Sequence, residues 1–229
     1  MIGTTNALKA IFFDLDNVLV FSEVMHFKAW QQVLSHYGVD PNRIDFHSTI
    51  GFSDFVQAQQ FTEKFSLAVD ATALWEFKRN TFLEMSQSGF EFPLGRNELL
   101  EDLSSRFTLA VVSSSGRKIV DQVLKNEKII SYFDFIIGFE DCDKHKPSPT
   151  PYLNALVKAN VSANEALVIE DSTAGITSAQ KAAIPVIGIL KDQSAEQIFQ
   201  DVKYFKTFSE VHQWLQLTSC ASIQRSKIQ

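Results

Sequence analysis

The chain has 229 residues, which is long enough for a full hydrophobic core together with a smaller inserted or appended domain. Apolar residues make up 45% of the sequence and charged residues 21%, a composition that excludes an intrinsically disordered protein. The formal net charge is −6 and no basic stripe runs along the sequence, so neither a nucleic acid nor an anionic membrane is expected as a partner.

Cysteine usage and hydropathy indicate the compartment. Cys142 and Cys220 form neither a C-x-x-C pair nor a disulfide framework. The sequence has no apolar run of 18 residues and no charged-then-apolar leader. We therefore expect a soluble cytoplasmic protein. The sequence does not define the oligomeric state, and a monomer is compatible with it.

Five short apolar runs predict the strands of a sheet. The first lies within KAIFFDLDNVLV at 9–20, and the later runs are TLAVVSSS at 108–115, FDFIIGF at 133–139, ALVIED at 166–171 and IPVIGIL at 184–190. Each run is short, largely β-branched or aromatic, and bounded by polar or turn residues. This pattern is typical of parallel strands that are buried on both faces.

Helical patterns separate the later strands. Apolar residues recur at three- and four-residue spacing near 97–105, 117–126, 149–160 and 173–182. Repeated helix and strand units of this kind predict an α/β fold, a Rossmann-like core with a doubly wound parallel sheet.

A long segment after the first strand has a different pattern. Residues 21–92 show helical spacing in HFKAWQQVLSHYG, FVQAQQFTEKF and TALWEFKRNTFLEM, without a convincing central strand. FPLG at 92–95 supplies a Pro/Gly break where the chain returns to the sheet. We therefore expect an α-helical cap domain at 21–92, inserted into a core that is formed by 1–20 and 93–229.

Polar residues follow four of the predicted strands, at the edge where open α/β sheets bind ligands. Residues i and i+2 of an extended segment project to the same side, so Asp14 and Asp16 can approach one reaction centre. The other strand ends carry Ser113, Ser114 and Ser115, a loop with Lys146, and the pair Glu170 and Asp171. Together these residues predict an anion site with a divalent metal.

Four segments, DLDNVL, VVSSSG, KPSP and VIEDSTAGI, occur in this order between Lys9 and Leu190. They resemble the four ordered motifs of the haloacid dehalogenase (HAD) superfamily over nearly the whole chain. The insertion resembles the helical cap of the β-phosphoglucomutase and sugar-phosphate phosphatase branch. SEVMHFKAWQQV is most similar to the mutases.

The resemblance implies a role for each catalytic candidate. Asp14 is the nucleophile that forms an aspartyl-phosphate, and Asp16 is the general acid and base. Ser113 donates its hydroxyl to phosphate, with Ser114 able to share this work, and Lys146 supplies a point charge to the phosphoryl oxygens. The structural alternatives are strand-end caps for the aspartates, an N-cap for Ser113 and a surface position for the lysine.

The resemblance also implies a Mg²⁺ site. The ligands are Asp14, the backbone carbonyl of Asp16 and Asp171, with Glu170 assisting or orienting a metal-bound water. Mg²⁺ prefers a few carboxylates together with backbone oxygens and retained waters. Glu170 and Asp171 could instead only complement the dipole of the helix that follows them.

Substrate choice is expected to reside in the cap. His26 and Trp30 lie four residues apart on one helix face, and by resemblance the histidine helps to place the acid/base aspartate while the tryptophan packs nearby. Lys78 is the cap candidate for contacting substrate, and Gly51 and Ser53 resemble the specificity loop. Packing or solvation explains the histidine and the lysine as well.

Three residues depart from the family pattern. Asn17 stands where Gly usually follows the second aspartate, and Phe21 stands where an acidic residue is common. Asp54 stands where the mutases carry an arginine for a second phosphate. The first cap helix therefore favours a mutase, whereas Asp54 argues against one.

The sequence thus predicts a Mg²⁺-dependent HAD-like hydrolase, a phosphatase of small phosphorylated metabolites such as sugar phosphates. A β-phosphoglucomutase-like phosphotransferase is the alternative, and it differs only in whether water or a substrate hydroxyl accepts the phosphoryl group. A non-catalytic protein that binds a phosphorylated metabolite is a third hypothesis. A true dehalogenase is disfavoured because Asp16 is present.

Overall fold

The computed structural model describes residues 8–45, 53–190 and 199–226, with side chains described as far as residue 217. Its centre is a six-stranded parallel sheet in the order β3-β2-β1-β4-β5-β6. The strands are β1 (Ala10–Phe13), β2 (Thr108–Val112), β3 (Phe135–Ile137), β4 (Ala166–Glu170), β5 (Val186–Ile189) and β6 (Lys203–Phe205). The predicted α/β fold is therefore confirmed.

Helices cover both faces of the sheet because alternate strand residues point to opposite sides. Ile11 and Phe13 of β1 face one core cluster, which contains apolar side chains of α4 (Arg96–Ser104), α5 (Arg117–Asn126) and α8 (Phe208–Ser226). Ala10 and Phe12 face the opposite cluster with α6 (Thr150–Ala159) and α7 (Thr173–Lys181). The sheet is therefore doubly wound, as expected.

The strands are shorter than the apolar runs, and the polar ends of the runs lie beyond them. The run at 108–115 contains a strand that ends at Val112, so Ser113 to Ser115 belong to the loop. β6 and α8 were not predicted. β6 has three residues and its Lys203 is exposed, so this edge strand lacks an apolar run. In α8, Phe208, Val211 and Leu215 are buried at helical spacing, which is a signal that the sequence did offer.

Among the described residues, three α-helices lie between β1 and α4. They are α1 (Glu23–His36), α2 (Asp54–Phe65) and α3 (Ala71–Met85), and they share a core of their own around Trp30, Leu34, Phe61 and Leu74. We propose that they form the cap at 21–92. The backbone N–H of Phe21 donates to the carbonyl of Glu91 at 2.8 Å, which supports boundaries near these positions.

No helix in the described part of the chain combines the length and the apolar character that crossing a bilayer requires.

Candidate active site

The site lies where the two central strands end. β1 lies between β2 and β4, and Phe13 is in register with Val111 and Ile169. The chain therefore leaves β1 at Asp14 beside the end of β4, where Glu170 is the last strand residue. Both side chains are buried, at 7% and 0% exposure. Parallel register alone thus places two carboxylates in a buried position at one edge.

Lys146 joins these two carboxylates. Its ammonium donates to Asp14 Oδ1 at 2.5 Å, to Glu170 Oε1 at 2.6 Å and to the backbone carbonyl of Val112 at 2.8 Å. Burial alone would lower the pKa of Lys146, but Asp14 and Glu170 outweigh it and raise the pKa well above its usual value. The lysine is therefore a fixed positive charge beside the candidate nucleophile.

Glu170 is held from several directions. The hydroxyl of Tyr152 donates to Oε1 at 2.8 Å, and the Ser172 hydroxyl and the Asp171 backbone N–H each donate to Oε2 at 3.1 Å. A β-carbon at Gly175 would lie 1.8 Å from Glu170 Oε1, so only glycine leaves room for this carboxylate. Glu170 is consequently fixed in one orientation.

Asp14, Glu170 and Asp171 form a group of carboxylates that could hold a metal ion. One oxygen from each lies within 4.8 Å of the others. Burial raises the pKa of Asp14 to about 8, an effect that Lys146 opposes and Glu170 reinforces. Burial and the neighbouring Glu170 also raise the pKa of Asp171 well above its usual value. A set of crowded carboxylate oxygens, of which those of Asp14 and Glu170 are buried, fits a hard divalent cation, which would offset the repulsion between the carboxylates.

The Asp16 carboxylate lies outside that group and has its own donors. The hydroxyls of Ser22 and Ser115 donate to it at 2.5 Å and 2.7 Å, and His26 Nε2 lies 3.1 Å from Oδ1. Burial alone would raise the pKa of Asp16, but His26 and the hydroxyl donors outweigh it and lower the pKa to about 2. Asp16 is therefore ionised at neutral pH and fits the role of a base.

The cap reaches Asp16 through a chain of side chains. Lys78 Nζ lies 2.5 Å from His26 Nδ1 and donates to Asp54 Oδ2 at 2.5 Å. Two N–H donors cannot face each other at this distance, and Asp54 favours the ammonium form of the lysine. Burial lowers the pKa of Lys78 against the effect of Asp54, whereas Asp16 and Asp54 outweigh burial and raise the pKa of His26. Asp54 Oδ2 lies 2.5 Å from Lys78 Nζ, but Asp54 Oδ1 lies 3.7 Å from His26 Nδ1, so we assign the proton to Lys78. His26 Nδ1 is then an acceptor and Nε2–H donates to Asp16.

The predicted catalytic residues converge at this edge of the sheet. Asp14, Asp16 and Lys146 lie together as described. Ser113 is buried beside them, and its hydroxyl accepts the Ser115 backbone N–H at 3.0 Å. The N-cap of α5 is Gly116, so the alternative interpretation of Ser113 as an N-cap is wrong.

The predicted substrate-binding residues lie in different environments. Trp30 is fully buried in the cap core, edge to face with Phe61, and so does not line an open surface. Ser53 caps α2 by accepting the backbone N–H of Val56 at 3.4 Å. Ser114 is partly exposed in the loop after β2. Gly51 lies outside the described residues.

Three contributors were missed by sequence reasoning, namely Ser22, Tyr152 and Gly175, and Ser115 was expected at the anion site but not as a donor to Asp16. Ser115 was visible as a strand-end serine, but nothing in the sequence separates it from Ser113. Ser22 stands at the N-cap position of α1, yet its hydroxyl donates to Asp16 and makes no cap hydrogen bond. The contact between Tyr152 and Glu170 joins two different elements, and local patterns do not reveal such contacts.

An aromatic cluster joins the cap to the core near Lys146. Phe55 and Trp75 of the cap pack on Phe139 of the core, with ring centroids 5.9 Å and 5.7 Å away. His145 stacks on Phe139 at 3.8 Å, and it directly precedes Lys146 in the chain. Cap position is thereby linked to the loop that carries the lysine.

A doubly wound sheet with carboxylates at its central strand ends and a helical insertion beside them defines a class of α/β enzymes with aspartate-centred sites. The chain belongs to the haloacid dehalogenase-like hydrolase family, whose family model matches residues 11–189. The resemblance predicted from the four motifs is confirmed.

Named relatives indicate the branch. A phosphorylated carbohydrates phosphatase of Thermotoga maritima is 30% identical over 185 residues, which cover 77% of this chain and 82% of the relative. Fructose-1-phosphate phosphatase YqaB of Escherichia coli is 26% identical over 179 residues, or 78% and 95% of the two chains. The solved structure of β-phosphoglucomutase from Clostridium difficile superposes with a TM-score of 0.77 at 22% identity, covering 97% and 100% of the chains, and shares the fold.

Proposed function

We propose that the protein is a Mg²⁺-dependent phosphatase of a small phosphorylated metabolite, most simply a sugar phosphate, acting through an aspartyl-phosphate on Asp14. The observation that carries this proposal is the buried Asp14 carboxylate, which is fixed by Lys146 at 2.5 Å beside an independently held Asp16. Family membership supports the aspartate-centred reaction.

In the first step an oxygen of Asp14 attacks phosphorus, and the bond from phosphorus to the leaving oxygen breaks. The leaving oxygen takes a proton from Asp16. Because the pKa of Asp16 is about 2 without substrate, Asp16 must take up a proton from solvent as the substrate binds. Lys146 stabilises charge on the transferring phosphoryl group.

In the second step a water molecule attacks the phosphorus of the aspartyl-phosphate and transfers a proton to Asp16. The bond between Asp14 and phosphorus breaks, so inorganic phosphate leaves and the carboxylate is restored. The low pKa of Asp16 fits this second role after it has given its first proton away. The serine hydroxyls keep the carboxylate oriented between the two steps.

Asp14, Asp171 and the backbone carbonyl of Asp16 would hold Mg²⁺, with Glu170 adjacent. When bound, the ion supplies positive charge between the carboxylates and the phosphoryl oxygens. The close grouping of three carboxylates and the raised pKa of Asp14 support this assignment.

Two observations bear on whether water or a substrate hydroxyl accepts the phosphoryl group. The relatives named as a fructose-1-phosphate phosphatase and a phosphorylated carbohydrates phosphatase support hydrolysis of a sugar phosphate. The mutase alternative is supported by the sequence of the first cap helix and by the fold shared with β-phosphoglucomutase. We prefer the phosphatase because a mutase must bind a second phosphate. In the cap the charge of Lys78 is already balanced by Asp54.

The test is phosphate release from a panel of sugar phosphates with Mg²⁺, with EDTA and with the Asp14→Asn variant. We expect Mg²⁺-dependent release that falls by at least about 1000-fold in Asp14→Asn, because the nucleophile is lost. Asp143→Asn, at an exposed position, is the matched control. Undiminished turnover in pure Asp14→Asn protein would remove Asp14 as nucleophile.

³¹P NMR distinguishes the mutase alternative. The sample contains β-glucose 1-phosphate, Mg²⁺ and a trace of the 1,6-bisphosphate. Inorganic phosphate supports the phosphatase, and accumulation of glucose 6-phosphate supports the mutase.

A further inference from the structure

Lys78 and Asp54 form an ion pair inside the cap. The ammonium and the carboxylate are 2.5 Å apart, and the two side chains are 0% and 6% exposed. The lysine also lies over the ring of Phe82 at 5.0 Å and contacts His26. His26 in turn contacts Asp16, so this pair is the part of the cap that lies next to the acid/base group.

Lys78 is the one buried cation among the described residues of the cap helices. Lys28, Arg43 and Lys64 are exposed. Arg79 lies over the ring of Trp75 at 5.2 Å and reaches Glu76 at 3.4 Å. In the described part of the cap, the buried cation that lies next to His26 and Asp16 is therefore Lys78, and its positive charge is balanced by Asp54.

Stability alone does not explain this pair. Removing two charges from water is costly, and an apolar pair of similar volume is often as stable or more stable than a buried salt bridge. Either partner alone would leave a net charge beside His26, which contacts the proposed acid and base Asp16. Together they leave none, because Asp54 carries one negative charge and Lys78 one positive charge.

We propose that Asp54 determines specificity: by neutralising Lys78 it presents an uncharged cap to the leaving group and selects monophosphates over bisphosphates. This inference rests on the proposed function and narrows it. The leaving group is then a neutral polyol or sugar, which binds the cap through hydroxyl groups. A second phosphate that approached Lys78 would find the charge of the ammonium already balanced by the Asp54 carboxylate.

The experiment measures binding of fructose 1-phosphate and fructose 1,6-bisphosphate by calorimetry with Mg²⁺, in an Asp14→Asn background that prevents turnover. With Asp54 intact, we expect the bisphosphate to bind no more than about threefold tighter than the monophosphate. Asp54→Asn frees Lys78 to pair with the second phosphate, so the bisphosphate should gain at least about tenfold relative to the monophosphate. Asp54→Glu keeps the charge and should restore the original ratio.

Glu63→Gln, which removes a negative charge from an exposed position of the same helix, should leave the ratio unchanged. A bisphosphate that binds tenfold tighter with Asp54 intact would overturn the inference, and this measurement does not require the Asp54→Asn variant to fold. A folded Asp54→Asn variant with no gain, including one that binds neither ester, would also overturn it. Failure of the proposed function is separate, since it appears as no phosphate release by the unmodified protein.

Discussion

The backbone of Gly175 approaches the Glu170 carboxylate so closely that a β-carbon would lie 1.8 Å from Oε1 and 1.9 Å from the carboxyl carbon. Glu170 is fully buried and held by Lys146 and Tyr152, so it has no free space into which it can move. Gly175 therefore belongs to the site although it has no side chain.

Gly175→Ala should displace Glu170 and weaken its contact with Lys146. We expect a loss of about 1–3 kcal/mol in the free energy of unfolding, as is usual for overpacking, together with weaker Mg²⁺ binding. Urea denaturation and calorimetric titration with Mg²⁺ measure the two effects. The shorter side chain of Glu170→Asp should partly restore stability in the double variant. Unchanged stability in Gly175→Ala would mean that Glu170 rearranges freely.

Ser115→Ala should change the titration of Asp16. The Ser115 hydroxyl donates to Asp16 at 2.7 Å and helps to lower the pKa of that carboxyl to about 2. Its loss raises the pKa, so the acidic limb of the pH–rate profile should move to higher pH. Turnover should fall about tenfold, the size expected for one hydrogen bond to a charged group. Ser131→Ala, at an exposed position, is the control, and a profile identical to that control would contradict the assignment.

Asp54→Asn should destabilise the protein in a pH-dependent way. Burial alone would raise the pKa of Asp54, but the Lys78 ammonium outweighs it and holds the pKa below its usual value of 3.8. The stabilisation is therefore fully present above about pH 4 and is lost as the pH falls through the folded-state pKa. At pH 7 we expect Asp54→Asn to cost about 3 kcal/mol, because it leaves Lys78 buried and unpaired.

Urea denaturation at a series of pH values measures this difference in the free energy of unfolding. The gap between the unmodified protein and Asp54→Asn should narrow below about pH 4. Glu63→Gln should show no such gap at any pH, because Glu63 is exposed. A constant gap would show that the charge of Asp54 does not account for the loss.

Phe139→Ala should loosen the contact between the cap and the core. Trp75 packs on Phe139, so its removal should shift tryptophan fluorescence to longer wavelength and increase quenching by acrylamide. Trp30, which is fully buried, and Trp214, which packs on Phe205, contribute a constant background. We expect turnover to fall about threefold to tenfold, since cap position is linked to the Lys146 loop. Leu153→Ala, at an exposed position, is the control, and equal quenching in both variants would contradict the link.

Much of the fold could be predicted because its central strands are continuous apolar runs. β1, β2 and β4 are almost completely buried, and burial on both faces requires such runs. β6 could not be found in this way, because an edge strand of three residues with an exposed Lys203 buries little surface. Boundaries were also less certain than elements, because polar residues such as Asp171 directly follow the strands.

The site was predictable where chemistry and chain order coincide. Asp14, Lys146 and Glu170 follow strand ends, so parallel topology brings them together. The pairing of Asp54 with Lys78 joins residues 24 positions apart on two cap helices, and it depends on how those helices pack. Sequence patterns give helix faces but not the contacts between helices, so the sequence offered Lys78 as a substrate contact without revealing its pairing with Asp54.

The hydrogen bond between the Phe21 N–H and the Glu91 carbonyl places the entry and the exit of the helical insertion side by side. Because the two ends of the insertion lie side by side, the insertion does not force the flanking core segments apart. Its length and sequence can therefore change without straining the core strands. Evolution can therefore exchange the cap as a unit while Asp14 and Lys146 stay in place. A chimaera that carries the cap of a relative on this core, with Ser22 and His26 retained because they hold Asp16, should keep the chemistry and acquire the substrate preference of the donor.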